Sequence, residues 1–363
     1  MRVAILGGGN GGYTMAADLK LRGFDVSLYE LPEFEENIRP VQEKGCIQLS
    51  GAAGEGPAEV RATTDIKAAI EDAEVIMVVV PSFGHERFAD TCIPYIKSGQ
   101  MIVINTGNFG SLVFARKFKE KGIDITRDVV LGETLILVYA TRRMSSNQVF
   151  VFGVKQNLPF AALPSKRTPE ALAVLNKMFP QFVPAVNVFE TSINNPNVIN
   201  HPTQMILNAA RIEATGGQFD WREPTPPSLA TLRDAVDEEK MAVARALGLK
   251  AMPYKTIHKT LYSKPSLLPE KFLGAATDSA KFLETPKIVK MRYLTEDVPY
   301  GLVPIASIAD VLNVQTPTID SLIQIASVVN QTNYWRDGRT AEKLGLAGLN
   351  VDEMNKLVAA GRI

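Results

Sequence analysis

Apolar and polar positions follow two regimes along the chain. Up to about residue 188, apolar runs of strand length alternate with stretches whose apolar residues recur at helical spacing; beyond it the helical spacing takes over. The run Arg2-Val-Ala-Ile-Leu6 predicts a strand ending at Gly7. A helix is predicted over residues 11–22, stopped by Gly23, and Asp25-Val-Ser-Leu-Tyr29 predicts a second strand closing on Glu30. Glu74-Val-Ile-Met-Val-Val-Val80 is apolar without alternation, as a strand buried on both faces of a parallel sheet must be. Gln100-Met-Ile-Val-Ile-Asn105 repeats that signal, with a crossover helix predicted over 84–96. Residues 129–140 and 148–154 predict further strands, and the alternation of the last suggests an antiparallel pair appended to the parallel core. The pattern defines an α/β, Rossmann-like doubly wound sheet.

The second half predicts mainly helices. Asn194-Asn-Pro-Asn-Val-Ile-Asn-His201 reads as a turn-rich lead-in, and a helix is expected over 203–215, just after Pro202, a favoured first-turn residue. A longer one over 228–247 places Leu229, Leu232, Val236, Val243 and Leu247 on one side and stops at Gly248. Helices over 305–312 and 319–329 follow, and the Gly- and Pro-rich residues 216–227 are expected to form a mobile loop. Two domains are therefore expected, a dinucleotide-binding one over 1–188 and a mainly α-helical one over 189–363.

The first turn carries recognisable chemistry. Gly7-x-Gly9-x-x-Gly12 joins the first strand to the first helix, with Asn10 and Gly11 between the glycines. Such a turn needs a glycine for the bend, one where the backbone approaches a pyrophosphate, and one where helix packs on strand. N–H groups at the helix start then face the phosphates. Glu30 falls where an acid holds the adenosine ribose hydroxyls, and a carboxylate there repels a 2′-phosphate. With Glu33, Glu35 and Glu36 also acidic, NAD(H) is expected over NADP(H). Pro81, at the end of the Glu74–Val80 run, is expected beside the cofactor.

Composition narrows the rest. Lys plus Arg balance Asp plus Glu at 39 each, so no global field recruits nucleic acid or an anionic membrane. Two cysteines, Cys46 and Cys92, without CxxC spacing argue against a disulfide framework or structural zinc, and no metal is expected. No apolar run approaches the ~20 residues of a membrane span. With a strand expected from Arg2 onward, no signal peptide is expected. Cytoplasmic placement is expected; the oligomeric state is left open, a homo-oligomer included.

Three histidines are candidates for proton transfer. His85 follows the Val80-Pro81-Ser82 strand end; His258 sits in a Lys-rich helical segment with no acid close in sequence. His201 stands at the expected helix start of the second domain. In Met291-Arg-Tyr-Leu-Thr-Glu-Asp297-Val-Pro-Tyr-Gly301, Glu296 and Asp297 precede a helical segment. A carboxylate bonded to an imidazole fixes its tautomer and stabilises its charged form, which Asp297 would do for His201. A buried, merely hydrogen-bonded histidine and a carboxylate serving the helix start remain the alternatives. Arg292 is a candidate for a cofactor phosphate or a substrate carboxylate.

On these residues the chain resembles the octopine/nopaline (opine) dehydrogenase family: Gly7-Gly-Gly-Asn-Gly-Gly12, Asn-Pro-x-x-x-His201-Pro202, Glu296-Asp297-Val-Pro-Tyr-Gly301 and Gly345-Leu-Ala-Gly-Leu349 all look like it, over residues 1 to about 358. The resemblance implies reversible NADH-dependent condensation of an α-keto acid, often pyruvate, with the amino group of an amino acid. It also implies His201 as catalytic histidine, Asp297 as its partner and Arg292 as a dinucleotide contact. Glu133 falls where some members bind the amino-acid substrate, and Asn108 in a loop lining the same site. Two other readings stand beside it. Thr316-Pro317 and the region from Asp297 to Ile308 are also similar to ketopantoate reductases and related 2-hydroxy-acid dehydrogenases, which use a lysine where this chain has His201. A non-catalytic dinucleotide-binding regulator would leave His201 and Asp297 far apart.

Overall fold

The computed structural model describes residues 1–219, 226–263 and 286–361. It divides into two compact units. The first comprises Met1–Thr191 with the described residues 260–263 and 358–361; the second holds the remainder from Ser192. The chain thus changes unit three residues beyond the expected boundary, and two later pieces return to the first unit. There the Gln156 N–H donates to the Leu261 carbonyl at 2.8 Å, and Gly361 lies against Pro164.

In the first unit, eight strands form one sheet in the order β12-β11-β8-β7-β6-β1-β2-β5. They are β1 (Arg2–Leu6), β2 (Asp25–Tyr29), β5 (Arg61–Thr63), β6 (Val75–Val78), β7 (Met101–Ile104), β8 (Val130–Thr134), β11 (Leu158–Leu163) and β12 (Phe182–Pro184). Every neighbouring pair is parallel except β8 with β11. Val3 to Leu6, Val75 to Val78 and Val103 are fully buried, as apolar runs covered on both faces require.

Residues 129–140 are not one strand. The chain breaks after Thr134, whose hydroxyl donates to the Ile136 carbonyl at 3.0 Å, and resumes as β9 (Tyr139–Ser145) in another sheet. β10 (Gln148–Val154) pairs antiparallel with β9, as expected, and parallel with β3 (Cys46–Gly51); β4 (Gly56–Glu59) completes a separate four-stranded sheet, β4-β3-β10-β9. The antiparallel strand of the main sheet is instead β11. The expected crossover helix is shorter, His85–Cys92, between 3-10 turns at Ser82–Gly84 and Ile93–Tyr95. Pro94 explains the early stop, because it lacks the N–H a continuing helix needs.

The second sheet covers α1 (Asn10–Leu21) through a polar ladder. Tyr139 Oη donates to Asp18, the Thr141 and Thr14 hydroxyls meet at 2.7 Å, and the Arg143 N–H donates to Asn10 Oδ1 at 3.1 Å. The rungs match because four helical residues rise ~6 Å and two strand residues ~6.6 Å.

The second unit is helical. Asn197–Thr215, Pro227–Ala246, Val303–Val311 and Pro317–Val329 carry its core, with Ile199, Met205, Val236, Ile305 and Ile323 fully buried. The Glu239 carboxylate accepts from the Thr318 and Ile319 N–H groups at 2.8 and 2.9 Å, an anion at the positive end of the Pro317–Val329 helix. Residues 220–225 of the expected mobile loop lie outside the described residues. Among the described residues, no helix is long and apolar enough to cross a membrane.

Candidate active site

The three glycines have three different surroundings. Gly7 has φ +112°, and a Cβ there would lie 2.5 Å from the Val79 carbonyl oxygen, so only glycine makes this bend. A Cβ on Gly12 would sit 1.8 Å from the Gly7 oxygen, so its absence lets α1 rest on the strand end. Gly9 is exposed, and a Cβ on it would meet nothing within 4 Å. Its lack of a side chain therefore serves no contact within the protein and keeps open a face that a ligand's backbone contacts require. α1 begins here with Gly9 as N-cap and no side-chain cap, so its first N–H donors suit a pyrophosphate. Gly11 is close-packed: a Cβ would stand 2.8 Å from the Leu137 side chain and 2.9 Å from that of Val79.

Glu30 is buried at the end of β2 and turned back onto this turn. Its carboxylate accepts from the Gly8 N–H (2.9 Å), the Leu31 N–H (2.9 Å) and the Asn37 amide (3.3 Å). A carboxylate offers about four acceptor positions, so capacity remains for a ribose hydroxyl. The residues fit a dinucleotide. Pro81 lies just past β6 as the cap of the Ser82–Gly84 turn.

In the second unit, the Asn197–Thr215 helix starts six residues before its expected first residue, and Pro202 lies inside it. His201 therefore stands in the second helical turn, not at its start. Pro196, at the cap, is the proline that opens this helix. The interior one removes the N–H that would reach the Val198 carbonyl, and beside it the Thr203 hydroxyl donates to the Ile199 (2.8 Å) and Asn200 (3.0 Å) carbonyls.

His201 and Asp297 meet across 96 residues of sequence: Nδ1 to Oδ2 is 2.8 Å, with side chains 20% and 10% exposed. Asp297 follows the short Arg292–Thr295 helix and precedes a π turn, Val298–Leu302, that runs into Val303–Val311. Gly301 brings this segment close, since a Cβ there would fall 2.1 Å from Val198 Cγ1, three residues before His201. Burial pushes the Asp297 carboxyl up and the His201 imidazole opposes that shift. The Tyr293 ring, not singled out in the sequence although it adjoins Arg292, covers the imidazole at 4.1 Å between centroids. Arg292 is mostly exposed and bonds Glu296 through Nε and Nη2, each at 2.8 Å.

The remaining candidates fall in the first unit, His258 excepted. Glu133 is fully buried on β8, accepting from the Ser111 N–H (3.0 Å), the Ser111 hydroxyl (2.7 Å) and the Thr191 hydroxyl (2.8 Å). Asn108, at φ 46°, donates its side-chain amide to the Ser82 hydroxyl at 2.9 Å. His85 is buried at the start of the His85–Cys92 helix, and His258 lies on Tyr254–Leu261 in the second unit. Cys46 and Cys92 are both free thiols. Among the described residues no cluster of three or more His, Cys, Asp or Glu suits a metal.

A glycine turn poised for a dinucleotide, on a doubly wound sheet, and an imidazole–carboxylate pair in a helical unit define a two-domain nucleotide-dependent dehydrogenase. Residues 2–127 match the N-terminal domain of NAD-dependent glycerol-3-phosphate dehydrogenase, and residues 184–330 match the α-helical domain of NAD/NADP octopine/nopaline dehydrogenase. The chain is 35% identical to an opine dehydrogenase of Arthrobacter sp. (strain 1C) over 95% of both chains. It superposes on octopine dehydrogenase with NADH and L-arginine (TM-score 0.72, 21% identity, 99% and 98% of the two chains). It also superposes on NADP+-bound yersinopine dehydrogenase (TM-score 0.67, 15% identity, 99% and 97%). The chain belongs to the octopine/nopaline (opine) dehydrogenase family, whose members are NAD(P)-dependent oxidoreductases acting on CH–NH bonds.

Proposed function

We propose that the chain joins an α-keto acid, pyruvate first among them, to the amino group of an amino acid by NADH-dependent reductive condensation, and runs the reaction in reverse. The observation that carries this reading is the 2.8 Å bond between His201 and Asp297. In the forward direction the amine adds to the keto carbon and water leaves, giving an imine. Reduction of that imine by hydride, with one proton, gives a secondary amine bearing both carboxylates. NADH, when bound, supplies the hydride.

The chain's own residues handle position and protons. Asp297 accepts the Nδ1–H of His201, fixing the tautomer that leaves Nε2 to face substrate. From Nε2 the imidazolium donates to the carbonyl oxygen as it departs as water, and Asp297 stabilises the charged ring. Gly7, Gly9, Asn10, Gly11 and Gly12 hold the pyrophosphate, Glu30 the adenosine ribose and Pro81 the cofactor's other end, with Arg292 on a phosphate. Glu30 makes NADH the preferred form. Asn108 shapes the substrate side, and Glu133 supports it by holding the 107–111 loop. Two free thiols fit a reducing compartment such as the cytoplasm.

Purified protein should oxidise NADH with pyruvate and one or a few of the twenty amino acids, faster than it oxidises NADPH. Consumption of NADH with keto acid alone, unchanged by any amine, would instead make it a hydroxy-acid dehydrogenase. No turnover with any pair would remove the enzymatic reading.

A further inference from the structure

Arg143 belongs to the second sheet, yet its guanidinium lies across the glycine turn. Nη1 donates to the Gly8 carbonyl (3.4 Å) and the Asn37 carbonyl (3.3 Å), and Nη2 donates to the Ser146 carbonyl (2.9 Å). One face covers the Tyr13 ring at 4.3 Å. Tyr13 in turn donates to the same Asn37 carbonyl. The backbone N–H of Arg143 is fixed on Asn10, the first residue of α1. Gly8 is thus gripped at both ends: its N–H by the Glu30 carboxylate and its carbonyl by the Arg143 guanidinium.

The placement sets a cation against a helix start, with Glu30 bonded to the same two residues, Gly8 and Asn37. The guanidinium stands by the positive end of α1, where the helix dipole disfavours a cation. Its hydrogen bonds go to backbone carbonyls, while the neighbouring Glu30 carboxylate is taken up by the Gly8 and Leu31 N–H groups and the Asn37 amide. The packing that holds it there is specific, from the Tyr13 face to the β9–α1 ladder. A fixed cation at a helix start lined with open N–H donors becomes favourable once an anion arrives.

We infer that Arg143 is a cofactor-binding residue, supplying the positive charge of the dinucleotide site from the second sheet and pairing with a phosphate of the dinucleotide. Two phosphates share that chemistry, the pyrophosphate common to NADH and NADPH and the 2′-phosphate of NADPH alone. The inference rests on the glycine turn being the dinucleotide site. An unsubstituted protein that fails to bind NADH would fault that assignment, whereas normal binding there, with no change on substitution, would fault Arg143 alone.

The test is fluorescence titration of NADH and NADPH into Arg143→Gln and Arg143→Lys at low and high salt, with competition by ADP-ribose and by adenosine. Pyrophosphate pairing predicts that Arg143→Gln weakens NADH, NADPH and ADP-ribose alike, by roughly 10- to 100-fold, and leaves adenosine unchanged. It also predicts a flatter salt dependence and partial rescue by Arg143→Lys. Pairing with the 2′-phosphate predicts loss for NADPH only. If Arg143→Gln lowers the melting temperature but leaves each nucleotide's affinity and salt dependence in place, Arg143 is a structural tie and the inference falls. Should that variant fail to fold, Arg143→Lys, which keeps the charge but loses the planar fork, carries the same comparison.

Discussion

Gly9 in the first unit and Gly301 in the second make opposite uses of a missing side chain. In the first, Gly9 leaves space that nothing in the protein fills, so the omitted atoms serve a molecule from outside. In the second, Gly301 leaves space that Val198 fills, so the omitted atoms serve an internal contact that sets His201 against Asp297. A binding surface is built by withholding groups and a proton-transfer pair by supplying them; glycine is the means in both. Loss of a side chain at the pair should therefore strike turnover and spare nucleotide binding, and gain of one at Gly301 should disturb the pair.

The largest effect is expected at the pair. His201→Ala should lower kcat by about 10²- to 10⁴-fold, with the NADH dissociation constant nearly unmoved in a fluorescence titration. Equal losses in both would mean that His201 itself helps to hold the cofactor, and would blur the contrast.

Gly301→Ala comes next. Its Cβ would fall 2.1 Å from Val198 Cγ1, so overpacking should cost about 1–3 kcal/mol and lower both melting temperature and kcat. Adding Val198→Ala should recover part of each; a double variant no better than the single would show that the glycine answers to something other than Val198.

A smaller change is expected for Glu30→Ala. NADH should weaken by roughly tenfold, the equivalent of one charge-assisted hydrogen bond, and NADPH should weaken less. An equal loss for the two nucleotides would reduce Glu30 to an anchor for Gly8.

The last expectation concerns stability alone and leaves turnover untouched. Lys155 is buried with its ammonium on the Leu137 (2.9 Å) and Tyr139 (3.0 Å) carbonyls, and burial pushes it down from its ordinary 10.5 to about 7. Between those values the folded chain binds fewer protons than the unfolded chain, so stability climbs with pH across that window. Lys155→Met should flatten the climb in melting temperature between pH 7 and pH 10. An unchanged slope would show that the amine keeps its ordinary range.

What could be read in advance follows the same division. The turn at Gly7–Gly12 is local: strand, bend and helix start lie within a dozen residues, and each glycine's role follows from backbone sterics. His201 and Asp297 are 96 residues apart, and their meeting depends on how two helices pack. Imidazole–carboxylate chemistry offered them as a pair and the family resemblance implied it, but no local pattern in the sequence brings them together. Pro202 misled because proline favours first turns, while the true opener, Pro196, lay in a run that read as turns. The second sheet was half legible: the alternation of 148–154 announces an antiparallel partner, but the apolar run from Leu135 to Ala140 continues the strand reading of 129–134 and hides the change of sheet after Thr134. Arg143 sits on β9, beyond residue 140 where the expected strand stopped, which is why no motif exposed it. β11 carries Pro159, which weakens a strand reading.

The return of residues 260–263 and 358–361 to the first unit has a practical side. Excising the nucleotide-binding half as one continuous fragment ending at Thr191 would strip the Gln156 N–H of its acceptor and bare the Pro164 ring. A graft or chimera meant to transplant this half has to carry the distant pieces as well, so exchanges between relatives should tolerate swapped interior helices more readily than a single crossover point.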